Sequence, residues 1–303
     1  MGEADRYIAT GLLKMKTSYV GYRALLVHAH PDDETINNGA TMAMYAALGA
    51  KVTLVTCTRG EEGEVLVEDH AHKAATLDDL LGEHREIELA DAMLALGISD
   101  FRFLGAPDFK YRDSGMMETE PNRRTDNFWN VDFERATSQL AAIIDEVQPH
   151  ILITYDEIGG YGHPDHIQAH RVAMAAADNS SWKIPKIYWN VMPRSVIQEG
   201  IDAMAALGSD FMGVDNADDL PFAKDDSFVT AHIDGNDYVD AKMAAMRAHA
   251  TQIAVDGPFF ALSNNLGLQV WGNEYYTLVK GDKSAPFDEA GREVDLFSGV
   301  ELS

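Results

Sequence analysis

A short apolar run, a loop carrying His-Pro-Asp and an alanine-containing amphipathic stretch follow one another twice in this chain. The first instance runs from Ala24-Leu25-Leu26-Val27 through His28-Ala29-His30-Pro31-Asp32-Asp33-Glu34 to a segment over 39–48. The second runs from Ile151-Leu152-Ile153-Thr154-Tyr155 through Gly159-Gly160-Tyr161-Gly162-His163-Pro164-Asp165-His166 to a segment over 167–177. Each reads as strand, tight loop, helix. Strands that are apolar throughout bury both faces, which calls for a mainly parallel sheet with helices on either side. In an open sheet of that kind, ligands bind at the loops that leave the strands' carboxyl ends. The repeated unit thus constrains both the fold class and the place to look for chemistry.

The rest of the chain extends the pattern. Strands are expected over 23–28, 51–56, 100–104, 151–155 and 186–191, and helices over 38–48, 77–96, 133–146 and 167–177. The expected architecture is α/β: a Rossmann-like, mainly parallel sheet with helices on both faces, plus a smaller C-terminal α+β cap. No Gly-x-Gly-x-x-Gly follows any of these strands and no Walker-type Gly-Lys-Ser/Thr is present, so phosphate-loop chemistry is not expected. Long loops over 59–66 and 105–130 leave strand ends and should border the same cleft. The division expected is a polar arm over 1–20, a metal-binding catalytic region over 21–193, and a cap over 194–303 lining the cleft, with strands near 228–233 and 275–279 and a helix over 239–249.

Composition narrows the function classes. Of 303 residues, 49 are Asp or Glu and 24 Lys or Arg, a formal charge of −25 that argues against nucleic-acid or anionic-membrane partners. The single cysteine, Cys57, excludes an intrachain disulfide, fits a reducing compartment and reads as a buried, inert thiol. Neither a signal-peptide core nor an 18-residue apolar span is seen, so a cytoplasmic protein is expected, with a homo-oligomer left open.

His30 with the consecutive carboxylates Asp32, Asp33 and Glu34 makes a partial zinc site, which needs about three protein ligands and an open position. The plain alternative is a helix start, with Pro31 fixing the turn and acids offsetting the helix dipole. The second loop weighs against that alternative. His166 can supply the third ligand, giving His30, Asp33 and His166, with His163 left beside the metal and Asp165 placed to orient its ring.

These residues resemble the LmbE-like (PIG-L) family of zinc-dependent N-acetylglucosaminyl deacetylases. Further stretches, 56–58, 60–65, 112–116, 249–252 and 262–266, resemble its mycothiol-biosynthesis branch, so the likeness runs over nearly the whole chain. The resemblance implies removal of an acetyl group from an N-acetylglucosaminyl-inositol, a small-molecule amino-sugar substrate. It also implies hydroxyl-binding roles for Glu64, Arg85 and Asp113 and a role for Tyr161 in stabilising the tetrahedral intermediate. An alternative for Arg85 is a surface residue paired with Glu86 or Glu88; for Asn264 and Asn265 a turn competes with a substrate-lining role. His249, near a helix end, is accounted for by the helix dipole.

Such chemistry needs an activated water, oxyanion stabilisation and a proton for the leaving amine. Asp32 is the expected base; His163 and Tyr161 would face the oxyanion. Either Asp32 or His163 can protonate the amine, and a two-histidine, one-aspartate site accepts Fe(II) as well as zinc. The sister activity, cleavage of mycothiol S-conjugates, competes with deacetylation. The residues near Asn37-Asn38-Gly39 lack the lysine of those amidases. A non-enzymatic module on a Rossmann-like sheet is disfavoured by the complete set of ligands and base.

Overall fold

The computed structural model describes residues 16–206, 208, 213–254 and 272–302. Its centre is a sheet in the order β3-β2-β1-β4-β5-β8-β7, with β6 pairing β5 off this path. Strands β1 (Arg23–His28), β2 (Lys51–Thr56), β3 (Asp100–Phe103), β4 (Ile151–Thr154) and β5 (Lys186–Pro193) run parallel. β8 (Asn273–Lys280) pairs antiparallel with β5, and β7 (Ala231–Asp234) antiparallel with β8.

Alternation along the strands divides the core into two layers. Ala24, Leu26, Val52, Leu54, Ile151 and Ile153 face the layer with helices α1 (Asp33–Ala47) and α2 (Leu81–Leu96). Leu25, Val27, Val55 and Leu152 face the layer with α3 (Phe133–Val147) and α5 (Pro164–Asn179). Burying each such side chain contributes roughly 1.5–3 kcal/mol, so the near-continuous apolar runs hold on both faces. Cys57 is fully buried in the second layer, and burial pushes its thiol up.

The order 3-2-1-4-5 places β1 beside β4, with the chain leaving in opposite directions on either side. The crevice opens between their carboxyl ends. Both His-Pro-Asp loops emerge there.

The structure departs from expectation in two places. Helix α1 begins at Asp33, not at 38, because the polar Thr35 and Asn38 are buried and hydrogen-bonded, Thr35 to Glu34 at 2.7 Å and Asn38 to His28 at 2.7 Å. A helix not foreseen, α6 (Arg194–Ala206), buries Ile197, Ile201 and Met204. Within the segment expected as a smaller C-terminal cap, β7 and β8 also extend the main sheet, and α7 (Val239–Ala248) packs on α1 and α2. From this segment the cleft is bordered by Leu220, Pro221, Phe222 and Lys224 of β6 (Ala223–Lys224), and α6 packs with Leu220 and Phe222 in a small apolar cluster. Asn264 and Asn265 lie outside the described residues, as does most of the expected N-terminal arm.

Two buried ion pairs bind the C-terminal third to the sheet. Lys186 on β5 meets Glu293 at 2.6 Å, and Lys242 on α7 meets Glu274 on β8 at 2.7 Å. Among the described residues, no helix is long and apolar enough to cross a membrane.

Candidate active site

The first loop delivers His30, Asp32 and Asp33 from the end of β1 into the start of α1. The second leaves β4 at Tyr155, makes the one-turn helix α4 (Gly159–Gly162), and starts α5 with His163 as its N-cap and Pro164 at the first helical position.

Three atoms from these loops form a near-equilateral triangle. His30 Nδ1 lies 3.5 Å from Asp33 Oδ2 and 3.3 Å from His166 Nε2, and the latter is 3.4 Å from Asp33 Oδ2. A tetrahedral ion with bonds of about 2.0–2.2 Å has ligand–ligand edges of about 3.3–3.6 Å. The triangle therefore fits a divalent metal, and His163 also lies close enough to His30 and His166 to belong to such a group.

Each corner is held from behind. Asp33 Oδ2 accepts from the Tyr155 hydroxyl at 2.7 Å and from the His30 N–H at 2.9 Å, and the Tyr155 ring stacks on His166 at 4.3 Å. The Tyr155 hydroxyl in turn accepts from Ala29 N–H at 2.8 Å, with His28 Nδ1 at 3.2 Å. His30 Nε2 faces Asp165 Oδ2 at 3.2 Å and Asp113 Oδ1 at 3.6 Å. Burial works to lower the His30 pKa, but these carboxylates outweigh it and hold it well above its ordinary value.

Asp165 corrects an expectation. Its carboxylate is turned to His30 and is fixed by the Ser114 N–H at 2.9 Å and the Ser114 hydroxyl. What orients His163 is the Asp165 backbone N–H, which donates to His163 Nδ1 at 3.1 Å. Neutral His163 therefore carries its proton on Nε2. Burial, then His30 and His166, push its pKa down to about 3.

Asp32 is the N-cap of α1 at φ 115°, a region that costs an L-residue of order 1–3 kcal/mol, and its side chain makes no cap hydrogen bond. The carboxylate lines the cleft instead. Burial raises it to about 7, against the pull of the Arg85 guanidinium 3.2 Å away.

The remaining expected residues are placed less evenly. Tyr161 rides on the Gly-rich turn, 45% exposed, its ring 5.0 Å from that of His166. Gly160, at φ 74° and ψ −69°, takes a conformation unfavourable to any other residue. Asp113 lines the cleft, but its oxygens already accept from the backbone N–H groups of Glu62 and Gly115. Arg85 is buried yet borders the cleft; its two terminal nitrogens meet the carbonyls of Gly60 and Pro31 and the Asp32 carboxylate, and its Nε has no partner among the described residues. A Cβ on Gly60, at φ 67°, would fall 1.9 Å from Arg85 Nη1, so that loop is shaped around the guanidinium. Glu64 is exposed and outside the cleft lining; its neighbour Glu62 lines the cleft and is paired with Arg112 at 2.7 Å. The cleft measures about 700 Å³, with apolar wall from Ile36, Leu66, Met116, Met192 and Phe222.

Sequence reasoning gave no site role to Tyr155, Ser114 or His249. Tyr155 carried a signal, as the last residue of the expected strand beside the second motif, and Ser114 and His249 lie within the stretches 112–116 and 249–252 that carry the resemblance.

A family profile described as PIG-L, GlcNAc-PI de-N-acetylase, matches residues 25–177. A Geodermatophilus obscurus protein named 1D-myo-inositol 2-acetamido-2-deoxy-alpha-D-glucopyranoside deacetylase is 56% identical over 291 residues, covering 92% of this chain and 98% of its own. A Streptomyces avermitilis protein of the same name is 53% identical over 291 residues, covering 92% and 97%. Among solved structures, the N,N'-diacetylchitobiose deacetylase of Pyrococcus horikoshii matches with TM-score 0.54 at 19% identity, over 86% of this chain and 84% of its own, a likeness of fold.

Proposed function

The chain belongs to the PIG-L family, described as GlcNAc-PI de-N-acetylase, and from that membership we infer that it is a hydrolase removing the N-acetyl group from 1D-myo-inositol 2-acetamido-2-deoxy-α-D-glucopyranoside, freeing the glucosamine amine for mycothiol synthesis. The observation that carries the chemistry is the ligand triangle with Asp32 at its side. We assign His30, Asp33 and His166 as metal ligands and zinc as the metal. Bound there, the ion supplies Lewis acidity to the acetyl carbonyl and to the attacking water.

The side chains supply the rest. Asp32, free of any cap bond, takes the proton from the water, a task suited to a carboxyl near pH 7. His163, with Nδ1 occupied, offers Nε2–H to the carbonyl oxygen as it gains negative charge, and the Tyr161 hydroxyl is a second donor. Since neutral His163 keeps its one proton in that bond, Asp32 is the group that returns a proton to the leaving amine. Asp113 at the cleft wall is assigned to sugar hydroxyls, and Arg85 to Asp32 in place of the substrate.

The test is direct. Purified protein should carry stoichiometric zinc and release amine from the inositol conjugate at least about 10-fold more efficiently than from free N-acetylglucosamine, the scale of one good polar contact. Equal efficiency would remove the inositol assignment, and faster release from a mycothiol S-conjugate would make the chain an amidase.

A further inference from the structure

Asp32 departs from what an N-cap aspartate ordinarily does. Such a residue folds its carboxylate back onto the first helical N–H groups; here no such bond is made. The capping runs the other way, as in the reciprocal half of a capping box. Glu34 Oε2, in the first turn of α1, accepts the Asp32 N–H at 3.0 Å. Glu34 is fully buried, and its other oxygen is held by Thr35 at 2.7 Å and by His249 Nε2 at 2.9 Å. His249 is itself fully buried at the C-cap of α7, and among the described residues its ring Nδ1 has no hydrogen-bond partner and Glu34 is the side chain its Nε2 meets. The same stretch is pinned independently, Thr251 donating to Glu88 through both N–H and hydroxyl at 2.8 and 2.7 Å.

We propose that His249 is a positioning residue which, through Glu34, holds the Asp32 backbone at positive φ and so keeps the Asp32 carboxylate turned to the cleft. Released from His249, the Glu34 side chain loses its fixed orientation and its grip on the Asp32 N–H. Asp32 then relaxes to ordinary N-cap geometry, its carboxylate withdrawn onto the helix. This rests on the reading of Asp32 as the base. The effect belongs to turnover, because the side chains of Glu34 and His249 hydrogen-bond to Asp32, Thr35 and each other and to no member of the ligand triangle among the described residues.

The experiment compares His249→Leu, which removes the donor, with His249→Gln, whose side-chain amide can still donate to Glu34. His249→Leu should lower kcat by about 10- to 100-fold, with KM and zinc affinity (by chelator competition) within about 2-fold. His249→Gln should recover most of the loss. In an Asp32→Asn background the Leu substitution should have no further effect, since both changes act on one group. Hydrogen exchange over residues 29–36 gives a readout independent of turnover: faster in His249→Leu, near wild type in His249→Gln. If His249→Leu does not fold, His249→Asn, too short to reach Glu34, takes its place. Unchanged kcat and exchange in a folded donor-less variant, or losses that simply add to those of Asp32→Asn, would overturn the proposal. A wild-type protein inactive on acetamido sugars would instead remove the functional reading, and exchange alone would still decide the clamp.

Discussion

The Arg85 guanidinium stands 3.2 Å from the Asp32 carboxylate at the cleft wall and is held by the carbonyls of Pro31 and Gly60, with 3% of its surface exposed. A residue so committed cannot also serve as a flexible donor to a sugar. Arg85→Ala is therefore expected to lower kcat by about 10-fold or more, the cost of stranding a buried charge partner, and to do so equally for the inositol conjugate and for free N-acetylglucosamine. Steady-state kinetics on both substrates checks this; a loss confined to KM for the conjugate would return Arg85 to the substrate.

Asp32→Asn keeps the size of the side chain and removes its basicity. Zinc content and melting temperature should stay near wild type while kcat falls by about 10²-fold or more, with KM little changed. Near-normal turnover with metal bound would mean that another group takes the proton.

The Tyr155 hydroxyl touches the proposed metal-ligating oxygen of Asp33 at 2.7 Å. Removing a partner of that kind typically weakens metal binding by about 10- to 100-fold. Tyr155→Phe should show that loss in chelator competition, a smaller one than for His166→Ala, where stoichiometric zinc should disappear. Equal affinity for wild type and Tyr155→Phe would show that the hydroxyl does not tune the ligand.

A pH effect is expected far from the site. His150 Nδ1 accepts the Arg23 N–H at 3.0 Å, and burial, with Arg23 beside it, pushes its pKa down to about 4. The unfolded chain binds this proton at about pH 6.5, so the stability tied to neutral His150 is present above that pH and is lost progressively toward pH 4. His150→Asn, which keeps an acceptor but does not titrate, should flatten that part of the profile in urea unfolding at pH 7 and pH 5. Parallel losses in both proteins would assign the effect to other groups.

What the sequence made legible was local. Strands β1 and β2 fall where their apolar runs end, and the two His-Pro-Asp loops meet because β1 and β4 are neighbours, as the alternating order of strands and helices implies. Hidden from it were groups satisfied at long range. Helix α1 looked too polar at its start because Asn38 is paired across the sheet to His28. His249 read as a dipole partner, yet its contact is Glu34, 215 residues away. Arg85 and Asp165 sit near the motifs, but burial and hydrogen-bond partners, which only the folded chain specifies, commit their side chains to Asp32 and to His30, and Glu64 lies exposed outside the cleft lining.

The place of β8 in the sheet has a consequence for synthesis. β7 is made before β8, yet among the described residues its strand partner is β8, with a further bridge from Ala231 to Glu293, and β8 is the strand that joins it to β5. While the ribosome is still translating the segment before residue 273, residues 231–234 have no edge to dock on, and Lys186 awaits Glu293, more than a hundred residues downstream. The parallel half can assemble as it emerges, but the buried Lys242 of α7 stays without its carboxylate until residue 274 is made, and Lys186 of β5 until residue 293. A nascent chain stalled short of that point would hold the two His-Pro-Asp loops in a sheet with an open edge, so this protein should depend on holdase protection late in translation rather than early.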